Sequence, residues 1–462
     1  VGFTEQLEDP RRKPEHPLLE MVRSRVFGIL AGYEDQNDHD ALRSDAIFKV
    51  IADRSPDDDD LASQPTLSRF ENFVTAKDLL RLEEEFIERF VNSFAEPPRE
   101  ITLDIDVFDD PTHGDQQLTF FHGFYDQYQY LVRAITCAEN DMVVLPVLLF
   151  GTADPPLGVV TDLERVVTRL REKFPDVLIR VRADSGFARP ALYEACERLR
   201  VEYSIGLGMN QVLKRRSEEL LEQAVKQQER TGESQRLFTA FDYQASTWSS
   251  PRWVVVKCEA NAKGTNRRAV VTNRPGARTL PQGAYEEYAE RGESENRNKE
   301  LKCDLCADRL SDHRYLANCF RMFLHCLANN LLVLLRQTIA APPANKPMPA
   351  TDYPAPNTVT GELLTLGSAI NAGHGDFPRL VIASGDLGEA ASHAWADVWL
   401  GPDQGWLSLD VTHAEQAGAR HCRLAVGRDY LDAAPVRGVR RGGGIESMAV
   451  TVQVVGGQGQ QQ

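Results

Sequence analysis

The chain has 462 residues, 42% hydrophobic and 26% charged, which suits a globular protein with more than one core. That composition excludes wholesale disorder, collagen-like repeats and a membrane bundle. A formal net charge of −16 opposes nucleic-acid binding by the surface as a whole, so any such role must rest on local basic residues.

No run reaches the roughly 18 uninterrupted apolar residues of a spanning helix. The best candidate, 316–335, is interrupted by Asn318, Arg321, His325, Asn329 and Asn330, and no membrane association is expected. Eight cysteines in so long a chain are no disulfide framework. Without a basic-then-apolar start like a secretory signal, a reduced, cytoplasmic protein is expected.

Residues 17–93 read as helices, with Leu18, Leu19, Val22, Val26 and Ile29 at helical spacing. After the acidic run Asp57–Asp60, Ser63 is placed to cap a helix with Pro65 near its start and Thr66, Ser68 and Arg69 on its outer side. This pattern suits the recognition helix of a helix-turn-helix, with Arg69 on DNA, or else a plain surface helix.

From 100 to 205 the texture is α/β. Ile101–Val107 alternates strictly, with Thr102, Asp104 and Asp106 sharing the polar face. Strands are expected at Tyr128–Ala134, Met142–Phe150 and Asp176–Arg182, and helices at Asp162–Phe174 and about 190–199. Asp184 stands where the last of these strands ends in a Ser-Gly turn. The carboxyl ends of strands are the usual ligand positions in open α/β sheets. A segment rich in charge and Gln, Lys214–Glu233, precedes β-like runs at Arg252–Cys258 and Arg268–Thr272, and helix is expected from about 286 to 337. Six prolines within 341–356 mark a linker. Short strands follow near Ala394–Leu400 and Met448–Val455, before a low-complexity tail.

Tyr288, Arg291, Glu295 and Lys302 lie at offsets 0, 3, 7 and 14, on one stripe of a helix. The stripe is either a salt-bridge ladder or a carboxylate ligand flanked by a hydroxyl and two phosphate-binding cations. Asp106 and Asp184 from neighbouring strands, with Glu295 from the helix, could hold two divalent ions against a phosphodiester. Cys303, Cys306, Cys319 and Cys326 with His313 and His325 lack a recognised zinc-finger spacing. Trp248 and Trp253 suit a core, or stacking on an extruded base.

The stripe resembles the Tyr-x2-Arg-x3-Glu-x6-Lys signature of DDE transposases of the insertion-sequence four-like superfamily. Leu103–Asp106 with Asp109–Gly114 and Phe121–Tyr125 is similar to the first-Asp region of its thirteen-eighty group. Arg182–Phe187 resembles the second, and Glu295–Lys302 with Asp308–Ser311 the third; Gly32–Asp35 and Ala62–Asn72 also fit. Over about 1–338, the resemblance implies an RNase H-like catalytic domain with a β-rich insertion near 206–274. It also implies a metal-binding triad of Asp106, Asp184 and Glu295, and the bound metal would be two Mg²⁺ (or Mn²⁺) ions. Val107 stands where Ser or Thr commonly follows the first Asp, leaving Asp104 as an alternative ligand. Tyr288, Arg291 and Lys302 would contact DNA. The implied partners are double-stranded DNA, as element ends and target, and a second copy of the chain in the DNA complex.

Ala391–Trp399, with Gly405-Trp406 and Leu409-Asp410, resembles the His and Asp strands of transglutaminase-like enzymes. His393 and Asp410 match the base and its orienting acid, but residues 341–392 contain no Cys to serve as nucleophile.

The whole chain is therefore expected to be a multidomain α/β protein. A helical, DNA-binding region at 1–95 precedes the RNase H-like domain at 96–340, a Pro-rich linker at 341–380 and a small β-rich transglutaminase-like fragment at 381–462. The expected function is metal-dependent cleavage at element ends and strand transfer. The alternatives are an inactive remnant that only binds DNA, and a transglutaminase-like enzyme, which the missing Cys opposes.

Overall fold

The computed structural model describes residues 1–340 and, as backbone, 381–382, 394–399, 406–410 and 415–416. His393 and the strand expected at Met448–Val455 lie outside the described residues.

Residues 1–29 and 33–333 form one compact unit, of mixed α/β architecture, around a nine-stranded sheet. Its strands are β1 (Glu100–Pro111), β2 (Phe120–His122), β3 (Gln127–Cys137), β4 (Val143–Leu149), β5 (Leu178–Ala183), β6 (Glu202–Leu207), β7 (Gln235–Tyr243), β8 (Arg252–Asn261) and β9 (Gly264–Thr272). They run in the order β2-β3-β1-β5-β6-β9-β8-β7, and β4 also pairs with β3. β1, β3 and β4 are antiparallel neighbours, while β5 lies parallel to both β1 and β6. The parallel pairs need crossovers, supplied by helices Val159–Lys173 and Pro190–Arg198. Leu163, Val166, Val167 and Leu170 of the first recur at helical spacing and are fully buried against the sheet.

Three features depart from the sequence expectation. β7, β8 and β9 extend the main sheet through the β6–β9 pairing, so the inserted strands share its hydrogen-bond ladder. The charged segment before them contains a helix, Glu218–Thr231, which buries only Leu221 and Ala224, too few apolar positions to show a clear period. The helix expected over 286–337 is divided into Pro281–Ala289, Gly292–Lys299, a π turn at Glu300–Asp304, and Tyr315–Ala340.

The N-terminal helices belong to the same unit. Helix Ala76–Asn92 opens on a capping box in which the Asp78 amide donates to Thr75 Oγ1 and the Thr75 amide to Asp78 Oδ2 (2.8 Å). It packs on β4 and on helix Val159–Lys173. Helix Gln64–Phe73 carries Pro65 in its first turn, but the Ser63 hydroxyl meets Thr66 Oγ1 and caps no backbone amide. Its inner face is fixed by charge as well as packing. Glu71, fully buried, accepts from Arg25 Nε (2.7 Å) and from Arg321 of helix Tyr315–Ala340. The polar groups along that long apolar helix are likewise paired, Asn330 bonding both the amide and the carbonyl of Val143 at 2.8 Å. The helix is long and apolar enough to cross a membrane, yet 78% of its most apolar window is buried in this protein.

This region is expected to lose stability in acid. Burial alone would raise the Glu71 carboxyl, but Arg25 and Arg321, with Gln36, hold it at about 2. Burial pushes His39 and His325 down to about 3, so both are neutral in the fold. A histidine with a lowered folded pKa costs nothing above its unfolded value of about 6.5 and destabilises progressively below it. The Glu71 contribution is complete above about 4.5 and vanishes as the pH falls towards 2. Urea midpoints should therefore hold steady from pH 8 to 7 and fall steadily from pH 6.5 to 4. Midpoints unchanged down to pH 4 would contradict the buried neutral histidines.

In the C-terminal part, β10 (Val381–Ile382), β11 (Ala394–Trp399), β12 (Trp406–Asp410) and β13 (Glu415–Gln416) form an antiparallel sheet in that order. Asp410 is the last residue of β12.

Candidate active site

β1 is the structural root of the site. Thr102 and Asp104 are buried along with the apolar Ile101, Leu103 and Ile105, because β1 is central and both its faces are covered. The parallel pairing sets Asp104 opposite Arg182 of β5, and the guanidinium donates to both carboxylate oxygens, at 2.7 and 2.9 Å. Asp104 is fully buried and committed to this bidentate pair. One pleat repeat further on, Asp106 reaches a more open position beyond the last β1–β5 pair, Ile105 with Ala183. Asp184 follows Ala183 directly, and its Oδ1 accepts from the Gly186 amide (2.8 Å), bending the chain into a short 3-10 turn.

The helical segment 281–299 brings the third group. Arg291 joins the two helices and donates to Asp106 Oδ2 (3.2 Å) and Glu295 Oε1 (3.1 Å). Asn298, one turn beyond Glu295, donates to the same Asp106 oxygen at 3.2 Å. Burial pushes the Asp106 carboxyl up to about 6 and the charges of Asp184 and Glu295 add to this, against Arg291 and the Val107 amide. Asp184 and Glu295 thus both lie within electrostatic reach of Asp106. Among the described residues, no group of three or more His, Cys, Asp or Glu side chains is gathered tightly enough to hold a metal as placed. Arg291 stands between Asp106 and Glu295 instead.

Tyr288 stands over Gly206 of β6. A Cβ at that glycine would lie 2.7 Å from the Tyr288 hydroxyl and 2.9 Å from the Ser185 amide, so the close approach requires glycine. Lys302, in the π turn, pairs with Asp109 of β1 at 2.6 Å, and Gln127 of β3 donates to the other Asp109 oxygen at 2.9 Å. Burial would raise the Asp109 carboxyl, but Lys302 and Gln127 hold it below the usual carboxylate range.

The structure therefore gathers Asp106, Asp184, Tyr288, Arg291 and Glu295, with Lys302 joined to the same strand through Asp109. Arg69 is not gathered with them. It donates to Thr66 and lines another cleft, of about 870 Å³, with Arg11, His16, Arg43 and Asp58. Several basic residues that offset the −16 are already paired, Arg267 with Glu218, Arg297 with Asp141 and Arg309 with Glu34. Trp248 is buried against Tyr193 and Tyr243, which removes it from any stacking role. Three site residues escaped the sequence reading, Asn298, Asp109 and Gln127. Asn298 was findable, since it lies seven positions from Arg291 and three from Glu295 on one helix face. Gln127 depends on the β1–β3 register and had no local signal.

The family model described as transposase DDE domain group 1 matches residues 2–366. An uncharacterized protein of Mycobacterium leprae is 34% identical over 77 residues, 17% of this chain and 26% of that protein. Uncharacterized proteins of Mycobacterium bovis and Mycobacterium tuberculosis are each 41% identical over 56 residues, 12% of this chain and 18% of theirs. The matched part of this chain spans about a quarter or less of the length of these curated relatives.

Proposed function

The chain belongs to the transposase DDE domain family, group 1, and from that premise we propose that it cleaves DNA at the ends of an insertion sequence and joins the freed 3′-hydroxyl to target DNA. The family carries a transposase function, which implies DNA binding, phosphodiester chemistry and divalent cations. The assignment to the thirteen-eighty group of the insertion-sequence four-like superfamily is our reading of the flanking motifs. The observation that carries the proposal is Arg291, which donates to Asp106 of β1 and to Glu295 of the helix, with Tyr288 of the same segment over Gly206 beside Asp184. The sheet order β4-β3-β1-β5-β6, three antiparallel strands followed by parallel ones, supports an RNase H-like core.

The donor set suits Mg²⁺ or Mn²⁺, being hard carboxylate oxygens, with Asp106 raised chiefly by burial and further by the charges of Asp184 and Glu295. Asp106, Asp184 and Glu295 would hold the ions, and the Asp104–Arg182 pair supports Asp106 over Asp104 as the ligand from β1. Divalent ions held by these residues would supply Lewis-acid chemistry for phosphodiester cleavage. Arg291 is placed to carry phosphate charge through its planar fork, and Tyr288 to position it by its hydroxyl. Lys302 serves the neighbouring phosphate as a point charge, with Asp109 and Gln127 aligning its ammonium. We place further DNA contacts on the N-terminal helices at Arg69, and a second copy of the chain in the DNA complex.

The test is a nicking assay on DNA carrying the element's own ends. Nicks that need Mg²⁺ or Mn²⁺ and disappear with chelator are expected. Retention of the same DNA without nicking in either metal would leave the DNA-binding remnant as the better reading. Replacing Lys302 by Ala should weaken binding at every sequence and flatten its salt dependence by about one unit of slope, one phosphate contact being lost. An unchanged slope would remove Lys302 from the phosphate path. The C-terminal part we read as a transglutaminase-like fragment, with His393 and Asp410 vestigial, for want of a Cys between 341 and 392. Thiol-sensitive acyl transfer by the full chain, lost on His393→Ala, would overturn that part.

A further inference from the structure

Cys303 and Cys306 stand three residues apart where the π turn that carries Lys302 comes to an end. Cys303 is exposed and Cys306 partly buried, whereas Cys137, Cys196, Cys258, Cys319 and Cys326 are buried. Leu305 and Ala307 donate their amides to the Glu300 and Leu301 carbonyls, each at 3.0 Å, and close the helical segment. Between those closing bonds Cys306 adopts a φ of 55°. That left-handed position at a helix end ordinarily falls to glycine, because a Cβ there crowds the backbone. A residue held in it against its preference points to a use for its side chain.

The backbone brings the two side chains within reach of one bond. Asp304 is helical and Leu305 stands at φ −100° and ψ 2°, which gives residues 303–306 the shape of a type I turn. The ends of such a turn lie less than about 7 Å apart between Cα atoms, and a disulfide spans about 4.4–6.8 Å. The Cys306 thiol already turns back over Cys303, donating to its carbonyl at 3.9 Å. Among the described residues no third His, Cys, Asp or Glu joins the pair to hold a metal. Burial, and then the charge of Glu34, push the Cys306 thiol up to about 11. The exposed Cys303 is therefore the thiol that meets a reagent first.

We propose that Cys303 and Cys306 form a dithiol that closes to a disulfide by exchange with a small-molecule disulfide, clamping the turn directly behind Lys302. The Cys303 thiolate attacks one sulfur of the reagent, forming a mixed disulfide and expelling one thiolate. Cys306 then gives its proton to solvent and attacks the Cys303 sulfur, forming the protein disulfide and expelling the second thiolate. Two electrons pass from the protein sulfurs to the reagent, which leaves as two thiols carrying the two protons. Exposed disulfides of this kind are labile, and where thiols are kept reduced they serve as redox sensors. The closed ring fixes the backbone that follows Lys302, whose ammonium pairs with Asp109 at 2.6 Å. The site needs neither DNA nor metal, so it stands or falls apart from the proposed function.

The test equilibrates the full-length chain with oxidised glutathione, then denatures it, counts its thiols and maps them by mass spectrometry. The count should fall from eight to six. The missing pair should lie in the peptide spanning 303–306, lighter by two hydrogens, and dithiothreitol should restore both thiols. Amide hydrogen exchange over 300–307 should slow in the oxidised chain. The Cys306→Ser chain should stop at the first step and keep a glutathione on Cys303, and Cys303→Ser should leave Cys306 reduced. A wild-type chain that keeps all eight thiols, where Cys306→Ser takes up glutathione, would overturn the dithiol. So would glutathione held on wild-type Cys303 without closure, or a bond from either sulfur to any other cysteine. Closure with unchanged exchange over 300–307 would overturn the clamp.

Discussion

Replacing Glu295 by Gln is expected to lower metal-dependent nicking by roughly a thousandfold or more, on the order of 4 kcal/mol of transition-state stabilisation, while DNA binding stays near wild type. The change removes one ligand charge and keeps the side-chain volume. Glu295 is largely exposed and its described charged contact is Arg291, so the fold has little to lose. Asp106→Asn should behave alike in nicking. Asp104→Asn makes the informative contrast. It breaks a buried bidentate pair and strands part of the Arg182 charge, so it should lower the melting temperature while nicking per folded molecule persists. Loss of nicking in Asp104→Asn at an unchanged melting temperature would make Asp104 the ligand and exclude the arrangement proposed above. Equal loss of DNA binding in Glu295→Gln would show that the carboxylate serves the fold or the DNA contact instead of the metal.

The largest effect on stability is expected at Glu71. Its carboxylate has no solvent contact and bridges Arg25 and Arg321, joining the N-terminal helices to helix Tyr315–Ala340. Glu71→Ala leaves two buried guanidiniums without their shared counter-ion, at a cost of about 3–5 kcal/mol. It also leaves space at a fully buried position of the helix whose Phe70 packs edge-on against Phe320 at 5.3 Å. Denaturant unfolding should show the loss as a lower midpoint. A triple change of Glu71, Arg25 and Arg321 to apolar residues of similar volume should recover most of it, because the desolvation of all three charges is then avoided. A single Glu71→Ala chain as stable as wild type would mean that water reaches the two arginines.

Where the apolar pattern was strong, local structure was legible from the sequence. Strict alternation over Ile101–Val107 announced β1, and Leu163, Val166, Val167 and Leu170 announced the crossover helix after β4. The same reasoning missed β2, β6 and β7. β2 has three residues and two exposed rings. β7 has a mostly half-buried strand face and no clean alternation. The break at 305–314 was hidden because both flanks are helical and the interruption is closed by long-range bonds, such as His325 Nδ1 to the Leu305 carbonyl at 2.7 Å.

By itself the sequence nominated candidate residues for the chemistry and the element each occupies, because residue type, spacing and strand ends are local properties. Asp106, Asp184, Arg291 and Glu295 could all be named before any contact was known. Only the tertiary structure gave equivalent residues different surroundings. Asp104 and Asp106 share one face of one strand. The parallel register sets Arg182 against Asp104, two residues before the strand outruns its neighbour and Asp106 opens onto the helix that carries Arg291. It likewise buried Trp248 and left the rings of the β2–β3 hairpin exposed, a choice composition cannot express. Burial and pairing are set by what lies across the fold, and a linear pattern specifies a residue's own face without specifying what comes to cover it.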